Sequence, residues 1–86
     1  MSVSKDLYTE YDWFAEARIR ETAGNWSGAI EAYEEALKLN PGFAKAWYYR
    51  ALAHGRLGQK KEAAACAKKV VELKPDWGKF VENLLK

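Results

Sequence analysis

A chain of 86 residues with 49% hydrophobic residues, 14% aromatics and a formal net charge of +2 makes one small domain. A domain of this size buries only about 60–65% of the surface its unfolded chain exposes, which leaves little room for a deep enclosed active site. Two prolines and six glycines are too few for a disordered or collagen-like chain, and no apolar run approaches the roughly 20 residues that cross a bilayer.

The N-terminal stretch MSVSKDLYTEYDW has no apolar core of signal-peptide length, so a soluble cytoplasmic domain is expected. The single cysteine, Cys66, permits no internal disulfide and fits a reducing compartment. A first helix is expected to begin near Ser4 or Asp6, to carry Leu7, Tyr11, Trp13, Phe14 and Ala17, and to stop before Gly24, a residue suited to the left-handed turn that closes a helix. A second is predicted from about Trp26 to Leu39, where Ala29, Ile30, Tyr33, Ala36 and Leu37 recur at spacings of three and four. Pro41 ends it: proline lacks a backbone N–H and disfavours helical geometry in the residue before it, so Asn40, Pro41 and Gly42 form a corner. Two more helices follow near 43–57 and 60–73, broken at Gly58 and Pro75. A fifth is expected from Asp76 as N-cap through Phe80, Val81, Leu84 and Leu85. No stretch alternates apolar and polar residues convincingly enough for a strand, so the fold class is all-α.

Shifting the sequence against itself by thirty-four residues superimposes Trp13 on Trp47, Ala17 on Ala51, Gly24 on Gly58, Ala29 on Ala63, Leu39 on Leu73 and Pro41 on Pro75. Phe14 with Tyr48, Asn25 with Gln59, and Phe43 with Trp77 are similar pairs in the same register. A period of this length points to stacked units, each unable to cover its own apolar face. The four alanines put minimal side chains where backbones approach, and the two tryptophans fill the volume beside them.

Trp, Ala, Gly, Ala and Pro in this register resemble the tetratricopeptide repeat, a thirty-four-residue helix–turn–helix unit. GNWSGAIEAYEEALKLNP is the stronger copy; the second has Lys60 and Ala67 where the family usually carries bulky aromatics. Both copies place charged or polar residues, Glu16, Arg20, Arg50 and His54, where large apolar ones are common. The resemblance covers residues 10 to 77 and implies a right-handed superhelix of two units, about 10–43 and 44–77, with residues 76–86 as a capping helix. It also implies a non-catalytic adaptor whose first helices line a concave groove for a segment of another protein.

On that reading the groove surface comprises Tyr11, Phe14 and Arg18 from unit one, Lys45, Tyr48, Tyr49, Leu52 and Arg56 from unit two, and Lys79 from the last helix. Such an aromatic and basic set suits a protein or peptide with acidic and apolar groups, or an acidic chain end. Part of the set is expected to pack as core, because an aromatic stripe on a helix in a small domain commonly does so. KPDWGK, residues 74–79, resembles the entry to the third repeat of heat-shock-organising co-chaperones, whose groove clamps a terminal carboxylate. Lys79 matches one clamp lysine, whereas Phe14 stands in place of the other, Arg18 and Tyr49 replace two asparagines, and Asn83 replaces an arginine.

The remaining features carry no chemistry of their own. His54 and Cys66 are single residues of their kind, too few for a structural zinc site, and are expected to be structural. Glu34 and Glu35 are adjacent on a helix and point in different directions. KKEAAACAKK sets lysines on an outer helix face, yet no nucleic-acid motif or phosphate loop accompanies it. No cofactor, metal, nucleic acid or membrane is expected. The charge is divided, four Lys/Arg against eight Asp/Glu in residues 1–43 (−4) and ten against four in residues 44–86 (+6). That division leaves a second possibility, a structural repeat that self-associates through its terminal helices, so the chain is expected to be a monomer or a weak homo-oligomer.

Overall fold

A computed structural model describes residues 4–84. Five α-helices follow one another: α1 (Glu10–Thr22), α2 (Trp26–Leu39), α3 (Ala44–Arg56), α4 (Lys60–Leu73) and α5 (Gly78–Leu84). The pairs α1/α2 and α3/α4 form the two units, α2 packs on α3 to join them, and α5 lies against α4 and α3. The result is a flat slab, 43 × 25 × 16 Å.

The helix boundaries come from local chemistry. Thr9 caps α1 reciprocally: its hydroxyl accepts from the Asp12 amide at 3.2 Å while the Asp12 carboxylate accepts from the Thr9 amide at 2.9 Å, satisfying two donors that a helix start leaves open. The first helix therefore begins later than the sequence suggests. Ser4 does cap a helical turn, but only the single 3-10 turn Lys5–Leu7, and extended backbone at Tyr8 and Thr9 separates it from α1. Leu7, expected on the first helix, lies in that turn and is exposed. At the other end Asp76 is not an N-cap. It sits inside a 3-10 turn, Pro75–Trp77, that leads into α5; Leu85 lies outside the described residues.

Each unit turns on a glycine with positive φ, Gly24 at +79° and Gly58 at +75°, in a region closed to most side chains by Cβ–carbonyl contact. The next residue then begins the return helix. Asn25 caps α2 through its side chain, which accepts from the Gly28 amide at 2.9 Å. Gln59, its counterpart, makes no such cap; its amide oxygen lies 2.7 Å from His54 Nδ1. Between units, Asn40 closes the corner by accepting from the Gly42 amide at 3.1 Å.

The core has two connected parts. In the first, Ala17, Ala29, Ala32, Tyr33, Leu37 and Ala46 are buried, with Trp13, Phe14, Phe43, Trp47 and Tyr49 packed against them. In the second, Ala67, Val70 and Val81 are surrounded by Trp47, Tyr48 and Trp77. Trp47 belongs to both, and its indole N–H donates to the Pro41 carbonyl at 2.8 Å. Trp13 occupies the corresponding place in unit one. Each tryptophan carries a cation over its ring, Lys5 on Trp13 at 5.5 Å and Arg50 on Trp47 at 5.4 Å.

Of the polar residues that interrupt the apolar pattern, Glu16 and Arg20 pair with one another, while Arg50 and His54 find partners elsewhere. Arg20 donates to Glu16 at 2.7 Å and to the Gly28 carbonyl at 2.8 Å, and Lys5 reaches the same carboxylate at 3.2 Å. Arg50 faces Glu34 of the preceding unit at 3.9 Å. Charge pairing thus replaces apolar contact at Glu16, Arg20 and Arg50.

Candidate functional site

Lys45, Tyr48 and Tyr49 project from one face of α3, since residues three and four apart on a helix are neighbours. Trp77 of the 3-10 turn and Phe80 of α5 complete an open cleft of about 240 Å³ with them. The rings stand across one another: Tyr48 makes 87° with Tyr49 at 5.3 Å between centroids and 83° with Trp77 at 6.4 Å. Edge-to-face geometry lets each ring present its positive rim to a neighbour's negative face. Tyr48, Tyr49 and Trp77 are half-buried, whereas Phe80 is 59% exposed.

On the α1 side, Phe14 is wedged between Phe43 (5.1 Å), Tyr33 (5.7 Å) and Tyr49 (5.7 Å). It serves the core as much as the surface. Tyr11 lies edge-on to Phe43 at 5.6 Å and is 66% exposed. The Arg18 guanidinium rests 3.9 Å from the centre of the Tyr49 ring and pairs with Glu21 at 3.6 Å. Glu21 also accepts the hydroxyl of the fully buried Tyr33. Burial, then the hydrogen bond to Glu21, raise the Tyr33 pKa far above the ordinary phenol range, so this ring stays neutral. Tyr33, Glu21, Arg18 and Tyr49 form a strap across α1, α2 and α3.

The other expected site residues are more dispersed. Leu52 is half-buried on α3. Arg56 lies over the Trp26 ring at 5.5 Å, at the start of α2 and away from the cleft. Lys79 is exposed on α5 and is not among the residues lining the cleft. Trp77 and Phe80 were missed as lining residues. Trp77 reads in the sequence as the corner aromatic matching Phe43, and Phe80 as one apolar residue of the last helix beside Val81; the structure buries Val81 and leaves Phe80 exposed.

A second cavity, of about 340 Å³, is lined by Trp47, Arg50, His54, Glu62, Ala65, Cys66 and Lys69. It brings the one histidine and the one thiol to a common wall. The imidazole is buried and meets Gln59 through Nδ1, while its Nε2 is buried without a hydrogen-bond partner among the described residues; burial pushes the Cys66 thiol up from its ordinary pKa, with Arg50 only partly opposing. A thiol held neutral is a poor nucleophile. Among the described residues no three His, Cys, Asp or Glu side chains converge to hold a metal ion, and no helix is long and apolar enough to cross a membrane.

The tetratricopeptide repeat family model matches residues 14–76. Hsp70-Hsp90 organizing protein 2 of Arabidopsis thaliana is 40% identical over 58 residues, 67% of this chain and 10% of that protein. Aryl-hydrocarbon-interacting protein-like 1 of Bos taurus is 39% identical over 57 residues, 66% of this chain and 17% of its own length. Small glutamine-rich tetratricopeptide repeat-containing protein 2 of Mycosarcoma maydis is 34% identical over 80 residues, 93% of this chain and 23% of that relative. The chain thus spans less than a quarter of the length of each of these proteins. With two glycine-turned helical pairs stacked in a thirty-four-residue register, the chain belongs to the tetratricopeptide repeat family of protein–protein interaction modules.

Proposed function

We propose that the chain is a non-catalytic adaptor that receives a segment of a partner protein in the trough running from Tyr11 and Arg18 on α1, across Lys45, Tyr48 and Tyr49 on α3, to α5. The observation that carries this reading is the cleft lined by Lys45, Tyr48, Tyr49, Trp77 and Phe80. Half-buried rings offer contact area with few torsions to freeze, and a lysine at the rim favours an acidic guest. The neutral, buried thiol argues for binding over chemistry. A cytoplasmic setting belongs to the same reading and rests on the unpaired Cys66.

An array of overlapping peptides probed with the protein and with a Lys45→Glu, Phe80→Ala variant tests the reading. Both side chains are exposed, so the circular dichroism of the variant should match the parent. Peptides that bind should lose at least about tenfold in affinity; equal binding by the variant overturns the groove. Lys61→Glu on α4 serves as the control.

The charge division favours a second reading, association of copies. Glu31, Glu34 and Glu35 lie on α2, and Lys60, Lys61, Lys68 and Lys69 lie on α4. A dimer that sediments at low salt and dissociates at high salt would support it; a monomer at every salt would remove it.

A further inference from the structure

We infer that the cleft beside Lys45 is built for an internal, proline-containing extended segment with an acidic flank rather than for a chain end. This rests on the adaptor reading and narrows the partner.

The size of the cleft comes first. At about 240 Å³ it falls below the roughly 300–1,000 Å³ of pockets that enclose a whole small molecule. It suits one or two side chains of a longer guest. The walls come next. Tyr48 stands nearly perpendicular to both Tyr49 and Trp77, so the rings cannot close flat on one another, and Phe80 leaves much of its ring uncovered. Aromatic-lined grooves with this character accept polyproline II chains, which arrive already extended and so lose little entropy on docking. Such a chain has no internal hydrogen bonds, and its carbonyls can accept from phenolic hydroxyls such as those of Tyr48 and Tyr49.

The charges decide between an internal segment and a chain end. Capture of a terminal carboxylate calls for forked or convergent donors. The forked donor nearest the cleft, Arg18, is already paired with Glu21 and laid over Tyr49. Lys45 is the one cation lining the cleft among the described residues. A lone lysine is a point charge on a flexible stem, suited to a side-chain carboxylate at variable reach. The surrounding C-terminal half, with its charge of +6 (ten Lys/Arg less four Asp/Glu), favours the same acidic guest.

The test uses blocked decapeptides, acetylated and amidated, with a central pair of prolines and either glutamate or lysine flanks. Matching peptides carry alanine for both prolines, and one further acidic proline peptide has a free C-terminal carboxylate. Titration into the isotopically labelled protein, followed by amide NMR, gives affinity and location together. The blocked acidic proline peptide should bind with the largest shifts at Tyr48, Tyr49, Trp77 and Phe80. Alanine for proline should weaken it about tenfold, lysine flanks should weaken it at least as much, and freeing the carboxylate should change it less than twofold. Equal binding of the alanine peptide, a requirement for the free carboxylate, or no binding by the set each overturns the inference. In the first two cases shifts confined to the cleft would leave the adaptor reading standing, and in the third that reading is decided by the peptide array.

Discussion

The ring of Tyr33 in the first unit lies nearly parallel to that of Tyr49 in the second, 14° between planes and 6.4 Å between centroids. One member is fully buried and fixed through its hydroxyl to Glu21; the other forms a wall of the cleft. The core of one unit therefore sets the position of the recognition surface on the next. Tyr33→Phe keeps the stacking and removes the hydroxyl, leaving the half-buried Glu21 with Arg18 alone. Thermal unfolding should show a loss of about 1–2 kcal/mol, equivalent to roughly 4–16 °C in a domain this small.

The same phenol links stability to alkaline pH. Its pKa is raised in the folded state, whereas in the unfolded chain it titrates near the usual value of about 10. Below that pH both states hold the proton and stability is unaffected by it. Above it the unfolded chain releases a proton that the folded state keeps, so stability falls as pH rises, by up to about 1.4 kcal/mol per pH unit for this group. Urea titrations at pH 8, 10 and 11 should show a steeper alkaline decline in the parent than in Tyr33→Phe.

Gly24 and Gly58 each have open space where a Cβ would stand, yet both have positive φ. Alanine at either site meets no neighbour and still costs about 1–2 kcal/mol in backbone strain, with asparagine costing less. Gly28 is the reverse case. Its φ is not in the left-handed region, but a Cβ there would clash with the Asn25 side chain and dislodge the α2 cap, a further route to a loss of about 1 kcal/mol. Chemical denaturation of the three alanine variants checks both mechanisms.

Cys66 should behave as core. Burial both shields the thiol and raises its pKa, so a disulfide reagent at pH 8 should react with native protein at least about a hundredfold more slowly than with protein in urea. Equal rates would mean that the α3/α4 pair opens readily.

The repeat, its corners and three of the helix spans, α2, α3 and α4, were legible in the sequence because Gly24, Pro41, Gly58 and Pro75 act through backbone geometry alone. The start of the first helix was not, since Ser4 followed by Asp6 and Thr9 followed by Asp12 are both plausible caps. The choice turned on the reciprocal pairing that only Thr9 and Asp12 achieve. The cleft was half legible. Lys45, Tyr48 and Tyr49 share a helical face by spacing, but Trp77 and Phe80 reach them only through the path of the chain after Pro75. Arg56 shares the spacing of that face, yet its flexible stem carries the charge to Trp26, a choice of partner that periodicity does not encode.

Trp47 packs into both halves of the core and ties its indole to the corner at Pro41. Two repeats joined through one such side chain cannot loosen independently, so slow amide exchange should be lost together in α2 and α4 rather than first at one end. For a guest lying across the trough, the floor then behaves as a single plate: it is whole or absent, with no half-open form in which to be trapped.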